Sequence, residues 1–345
     1  MAVRNDLPGG VAEVLAEAAA LAEQGVFREA VDTLMAANRA EACAPIEERL
    51  VELRHEAVAT AFPPPTRSPS KVPETDPFDA PGIPEVDARE LTVDVLGAAL
   101  AHRGSLLVRG LLDPETAEEL RQDVVRALEA CDAFRAGAPV TETSPWYVPF
   151  EAHEGYSFGT LERTFSRVLG GVLSVESPRT LFDVISAFNE AGIGNLLDEY
   201  FGEWPAISAK KSTLRLATPE SPTEWHQDGA FLGSDTRTVN VWTALTDCGV
   251  DAPGVEVFAR PFDDIVRTGG ETARFDWSVS PDQAEQLQRG DIERPTFSPG
   301  DALIFNQLTL HRTGLSPSMT KDRYAIESWF FAPSTYPYEQ VPILF

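Results

Sequence analysis

From residue 206 onward the chain is a succession of short apolar or alternating runs separated by turn residues, and no other feature constrains its fold as much. The runs fall near 206–217, 223–230, 238–246, 254–260, 293–297, 301–306, 308–313 and 323–332. Alternation places successive side chains on opposite faces of a strand, and clusters of Gly, Pro, Asp and Ser end each run. Eight strands at that spacing, following helices, predict an antiparallel barrel or sandwich with helices packed on one side.

The first half has a helical period. Val11, Leu15, Ala18, Leu21 and Ala22, then Phe27, Ala30, Val31 and Leu34, recur at helical spacing on either side of Gly25. A third pattern follows Pro45, with Ile46, Leu50, Leu53 and Ala57 on one side. Residues 1–61 therefore read as a helical arm or cap, a face for a protein partner or a second subunit. Residues 62–85 hold eight prolines (Pro63, Pro64, Pro65, Pro69, Pro73, Pro77, Pro81 and Pro84) and no apolar periodicity. Such a segment is an extended linker, free or laid over a surface. The main domain spans 86–345. Its first part predicts a strand over 104–111, a helix capped by Asp113 with Pro114 in its first turn, and a helix over 179–200. Between them lies an irregular, aromatic stretch at 134–176.

Charge and cysteine content narrow the partners. With 54 acidic and 28 basic side chains the formal net charge is −26, which repels nucleic acid and anionic membranes. Cys43, Cys131 and Cys248 form neither a CxxC pair nor an even framework, which fits free thiols in a reducing cytosol. The first apolar stretch is broken by Glu13, Glu17 and Glu23, and no run approaches the ~18 apolar residues of a membrane span. The expected address is the cytoplasm.

Five histidines are present, and two fall in the strand-rich half. His226 lies in Trp225-His226-Gln227-Asp228-Gly229, and on an extended strand residues i and i+2 face the same way, so an imidazole and a carboxylate can meet one ion. His311 comes 85 residues later, after Pro299-Gly300-Asp301 and a short apolar strand. Two neutral nitrogens and one carboxylate on one face of an octahedral ion leave three open positions, the facial triad of non-haem iron(II) oxygenases. A lone H-x-D pattern is common, and a histidine without metal is its bland alternative. Arg323, twelve residues beyond His311, opens an apolar strand with a planar fork suited to a carboxylate.

Taken together, residues from about 86 to 345 resemble the phytanoyl-CoA dioxygenase-like family of Fe(II)- and 2-oxoglutarate-dependent oxygenases. The resemblance rests on Trp225-His226-Gln227-Asp228, on Val239-Asn240-Val241-Trp242 and the residues to Asp247, on Pro299-Gly300-Asp301, and on His311 with Arg323. It implies a mainly β fold with flanking helices, built on a double-stranded β-helix (jelly-roll, cupin-like) core beside the small N-terminal helical segment. It also implies Fe(II) on His226, Asp228 and His311, with 2-oxoglutarate and O2 as co-substrates and Arg323 clamping the distal carboxylate. Asn240 and Trp242 would line the co-substrate pocket, with ordinary inward packing as the alternative. Lys211, Thr213 and Arg215 share a face of the preceding strand, as co-substrate contacts or as a solvated face. Trp146, Tyr147, His153 and Tyr156 lie in the region that often covers the pocket mouth in this family, as substrate contacts or as ordinary surface packing.

Asp228 points away from the related halogenases, which have a small residue there, and towards hydroxylation or another oxidation of a C–H bond. One departure concerns the strand that family members commonly continue into a Pro-Gly-Ser-His-like segment. Here it reads Gly254-Val255-Glu256-Val257-Phe258-Ala259-Arg260. The expected activity is a small-molecule tailoring hydroxylase releasing succinate and CO2. The competing readings are a cupin-like isomerase, lyase or binding protein that does not use 2-oxoglutarate, and an interaction module with a vestigial barrel.

Overall fold

The computed structural model describes residues 9–60, 65, 67–158 and 160–345. Three helices come first: α1 (Gly9–Glu23), α2 (Phe27–Ala40) and α3 (Ala44–Thr60). Then follow β1 (Glu85–Asp87), α4 (Val93–His102), β2 (Ser105–Arg109), α5 (Pro114–Arg135) and the single turn α6 (Val140–Thr143). Next are α7 (Thr160–Val168), β3 (Gly171–Leu173), α8 (Pro178–Glu190) and α9 (Ile193–Phe201). The strand-rich half holds β4 (Ala206–Ser208), β5 (Thr213–Ala217), the turn α10 (Gly229–Leu232), β6 (Thr238–Ala244) and β7 (Gly254–Phe258). It ends with α11 (Pro281–Leu287), β8 (Ile292–Glu293), β9 (Ala302–Phe305), β10 (His311–Gly314), β11 (Arg323–Phe331) and β12 (Pro342–Leu344).

Local chemistry accounts for the boundaries. Asp113 accepts from the amides of Glu115 and Thr116, each at 3.0 Å, and Pro114 starts α5. The helix expected over 179–200 is two helices, because Gly192 takes a left-handed conformation (φ +79°) that ends α8 and starts α9. The run at 206–217 likewise divides into β4 and β5 around a turn. The run at 223–230 is no strand: Trp225 and His226 make isolated bridges, and the chain then coils into α10.

Among the described residues, nine strands form one sheet in the order β1-β2-β9-β6-β11-β4-β12, with β5 also on β11 and β3 on β5. All pairs are antiparallel except β1–β2. A second sheet has the order β10-β7-β8. Two open sheets with flanking helices are consistent with a jelly roll. Strict alternation divides the interior. Val239, Val241, Ile304, Ile326 and Phe330 join the core beneath the helices, whereas Trp242, Ala244, Leu303, Phe305, Ala325 and Trp329 face the space between the sheets. Gly300 permits the tight entry into β9, since its φ is +92° and a Cβ there would lie 2.1 Å from the Leu112 carbonyl.

The helical arm is sealed to the main body. Leu34 and Leu53 belong to the same core as Leu181 and Phe188 of α8. Buried Arg54 donates to the Leu344 carbonyl (2.8 Å), and His55 Nδ1 lies 2.7 Å from that of Pro342, so α3 holds β12 through its backbone. The described part of the proline-rich stretch lies over the body: Arg67 N meets Gly202 O, Ser70 N meets Tyr200 O, and Arg103 pairs with Asp76 at 2.7 Å. Residues 61–64 and 66, Pro63 and Pro64 among them, lie outside the described residues. Among the described residues no helix is long and apolar enough to cross a membrane.

All six tryptophans lie beyond the arm, so their fluorescence reports the main body. Leu53→Ala should lower its unfolding free energy by about 2–5 kcal/mol in a denaturant titration followed through tryptophan emission. An unmoved tryptophan transition would show that the arm folds separately.

Candidate active site

The backbone joins two histidines far apart in sequence. His226 and His311 exchange both N–H···O bonds at 3.0 Å, and their ring centroids lie 4.3 Å apart. Each Nδ1 sits 2.9 Å from a carbonyl, that of Glu224 for His226 and of Thr309 for His311. A carbonyl only accepts, so the hydrogen resides on Nδ1 and Nε2 keeps its lone pair for a ligand. The Asp228 carboxylate faces both rings, with Oδ1 3.9 Å from His226 Nε2 and Oδ2 3.8 Å from His311 Nε2. The donor atoms of the three residues lie within 4.8 Å of one another, a set that can hold a metal ion.

The expected strand geometry of His226 and Asp228 is not how this happens. Asp228 has a helical backbone (φ −64°, ψ −22°) and begins α10, so the turn swings its carboxylate back towards the imidazoles. Burial first, then the neighbouring His311 ring, pushes His226 down to about 4. Burial acts to raise the Asp228 carboxyl, but the Lys211 ammonium and the two imidazoles hold it below its ordinary value.

A cavity of about 340 Å³ opens over these residues and runs between the sheets. Arg323 lies in its wall and is only 1% exposed. Its Nη1 donates to the Gly254 carbonyl at 3.1 Å, and its guanidinium sits 5.1 Å from the Trp242 ring centroid. Among the described residues no carboxylate pairs with it, and its Nε has no hydrogen-bond partner. Burial first, then nearby Arg215, lowers Arg323 to about 10. Asn240 Oδ1 lines the same cavity and is likewise buried without a partner. Unpaired buried polar atoms are costly unless a ligand completes them.

Thr213 and Arg215 stand together on the inner face of β5, but their partner is protein. Arg215 Nη1 lies 2.6 Å from Glu327 Oε1, and the Thr213 hydroxyl donates to Glu327 Oε2 at 3.1 Å. Lys211 turns to Asp228 instead, with Nζ 2.8 Å from Oδ1. Glu327 was missed in the sequence, although its place four residues after Arg323 on the same strand face is a signal for it.

The four expected substrate contacts are not brought to the cavity. Tyr147 is buried, with its hydroxyl 3.2 Å from Glu176 and its ring against Phe134. Trp146 sits beneath Arg126 and Arg179. His153 and Tyr156 pack around His55 of the arm, and His153 N donates to His55 Nε2 at 2.9 Å. His153 and Tyr156 thus join the arm to the body, whereas Trp146 and Tyr147 pack within the body itself. The mouth is walled instead by Phe165 of α7, Phe231 of α10, and Phe275 and Trp277 of the loop before α11. The rings of Phe275 and Trp277 stack at 4.7 Å, and Trp277 stands edge-on to His226 at 5.5 Å. That loop carries no regular period, and only the spacing of its two aromatics hinted at a shared face.

Two imidazoles and a carboxylate converging on one point, with a buried guanidinium in the wall of the same cavity that no described carboxylate pairs with, have the donor chemistry of non-haem iron oxygenases that use 2-oxoglutarate. Residues 101–319 match the family model described as phytanoyl-CoA dioxygenase (PhyH). The chain belongs to that family of 2-oxoglutarate-dependent oxygenases, whose members use Fe(II), 2-oxoglutarate and O2. The residues present fit this set, since the histidine nitrogens are free for a metal and Arg323 and Asn240 carry polar atoms with no protein partner. No curated protein matches the chain.

Among solved structures, the non-haem 2-oxoglutarate-dependent carbocyclase SnoK of nogalamycin biosynthesis is 14% identical over 72% of this chain and 87% of its own, with a TM-score of 0.46. EvdO2 from Micromonospora carbonacea var. aurantiaca, complexed with 2-oxoglutarate, is 15% identical over 70% and 89%, with a TM-score of 0.44. EctD from S. alaskensis, with 2-oxoglutarate and 5-hydroxyectoine, is 13% identical over 79% and 83%, with a TM-score of 0.48.

If Arg323 is kept for a ligand rather than for stability, Arg323→Met should raise the unfolding free energy of the ligand-free protein by about 1–4 kcal/mol. Calorimetry checks this, and a lowered melting temperature would make Arg323 a structural residue.

Proposed function

We propose that the chain oxidises a C–H bond of a small molecule, by hydroxylation in a biosynthetic tailoring step, with 2-oxoglutarate converted to succinate and CO2. In this reading the two sheets form a double-stranded β-helix, with iron on His226, Asp228 and His311 at one end and the distal carboxylate of 2-oxoglutarate on Arg323. The observation that carries it is the presence of the three donors and an unpaired, buried arginine in one cavity.

When bound, iron with 2-oxoglutarate and O2 supplies an oxidant strong enough to take hydrogen from an unactivated C–H bond. The protein's part is to orient and to exclude water. Hydrogen bonds from Nδ1 to fixed carbonyls hold both imidazoles in the tautomer that presents Nε2. Arg323 offers its fork to a carboxylate in a site screened from solvent, where a charge-assisted pair is strong. Trp242 packs against that guanidinium and limits where it can point. Asn240 offers its orphaned carbonyl oxygen as an acceptor for a hydroxyl or a bound water.

The mouth aromatics hold the substrate. Phe231, Phe275 and Trp277 are half-buried, whereas the core aromatics Phe258, Phe305 and Phe330 are at most 1% exposed. Open apolar rings over a polar centre suit an apolar body laid beside the metal site. The charged side chains nearby are largely paired within the protein, Arg312 with Glu256 at 2.6 Å and Arg215 with Glu327. That pairing disfavours a highly charged substrate such as a CoA thioester.

Anaerobic addition of Fe(II) and 2-oxoglutarate should produce a visible metal-to-ligand charge-transfer band, and Arg323→Met should weaken the 2-oxoglutarate dependence of that band. No band, together with no succinate formed in air, would rule out the assignment. In a substrate screen scored by stimulated succinate release, Trp277→Ala should raise KM for any substrate found more than it lowers kcat. The reverse pattern would place the substrate elsewhere in the cavity.

A further inference from the structure

Lys211 is one of four lysines in the chain and stands on the cavity wall just before β5. Its ammonium is 2.8 Å from Asp228 Oδ1 and 4.2 Å from the centroid of Phe231, a residue of the turn that Asp228 begins. The Trp329 ring flanks it more distantly, at 6.0 Å. The Asp228 side chain is only 2% exposed, and among the described residues no hydrogen bond reaches its Oδ2. One oxygen is thus engaged by a fixed cation, and the other is left towards His311 Nε2. A carboxylate buried to this degree needs a countercharge before any metal arrives, because an isolated buried charge is expensive.

We propose that Lys211 is the resident counter-ion of Asp228, holding the carboxylate ready in the metal-free protein and opposing the divalent ion that replaces it. The proposal rests on reading His226, Asp228 and His311 as the metal site. Lys211 is then a positioning residue that acts through Asp228, and not a contact of the 2-oxoglutarate carboxylates. Its physical basis is a competition between cations. An ion bound by Asp228 lies within one carboxylate width of the ammonium, so the two repel in a cavity that screens them poorly. The rings of Phe231 and Trp329 favour the ammonium where it stands and resist its withdrawal. Metal affinity is therefore set below what the three ligands alone would give, and metal-free folding is supported in exchange.

The test is Mn²⁺ binding to the full chain without 2-oxoglutarate, read by electron paramagnetic resonance of the free ion. Lys211→Met should tighten Mn²⁺ binding by about tenfold, equivalent to about 1.4 kcal/mol. It should also lower the melting temperature of the metal-free protein and enlarge the rise that Mn²⁺ produces. Lys211→Gln keeps a hydrogen-bond donor without the charge and should tighten binding as well, which preserves the test if the methionine variant does not fold. Lys211→Arg keeps the charge and should bind Mn²⁺ like the wild type. Unchanged or weaker Mn²⁺ binding in the glutamine variant would overturn the proposal. So would weakened 2-oxoglutarate binding with Mn²⁺ affinity unmoved, which would make Lys211 a co-substrate contact. Asp228→Ala separates the two levels: if it binds Mn²⁺ as tightly as the wild type, the metal-site reading itself fails, whatever Lys211 does.

Discussion

The two-residue period of β11 is the constraint on which the rest depends. Along this strand Ile326 and Phe330 turn outward into the core beneath the helices, while Arg323, Ala325, Glu327, Trp329 and Phe331 turn inward. One register therefore decides both what the helices pack against and what the cavity contains. A slip of one residue would drive Arg323 and Glu327 into the apolar layer and Ile326 into the site. Pairing with β6, β5 and β4 at once resists such a slip, for it would have to break every partner's register together.

The geometry of the candidate metal site is secured differently, by backbone rather than by sheet alternation. The reciprocal hydrogen bonds between His226 and His311 tie the segment after β5 to the first residue of β10. Once these two residues are opposite one another, only the direction of Asp228 remains to be set, and the α10 turn sets it. Gln227 steadies that turn from the other side, as its side-chain nitrogen donates to Leu308 O at 2.6 Å and its oxygen accepts from Val266 N at 2.7 Å. The residue between His226 and Asp228 is thus a brace for both.

Much of this was legible in the sequence, and the gaps have physical causes. Strands with a buried apolar alternation, such as β6, β9 and β11, announce themselves, and so does a helix capped by Asp and Pro. The pairing of His226 with Asp228 was foreseen for the wrong backbone, because H-x-D carries no record of whether the chain extends or coils after the histidine. The aromatics at 146–156 were expected at the mouth because a sequence shows aromatic content but not the direction in which an irregular stretch folds. Phe275 and Trp277 went unnoticed for the same reason. The helical arm showed its amphipathic period clearly, yet its partner could not be read, since Leu53 matches β12 and α8 only once all three are folded.

The distribution of charge closes the account. The chain as a whole carries −26, yet among the described residues the cavity wall holds five basic side chains (Lys210, Lys211, Arg215, Arg312, Arg323) against three acidic ones (Glu224, Asp228, Glu327). An acidic surface concentrates divalent cations around the molecule and repels dianions at long range. The buried Arg323 guanidinium reverses the preference at short range, where screening is weak. On the proposed reading, a dianionic co-substrate would reach Arg323 only after crossing an unfavourable exterior field, and a metal ion would meet the opposite pair of fields. Within the cavity Glu327 pairs with Arg215, Asp228 with Lys211 and Glu256 with Arg312, whereas Arg323 has no carboxylate partner among the described residues. The internal ion pairs therefore do more than satisfy buried groups: they neutralise cations that would compete with Arg323 at the anion site proposed for this cavity.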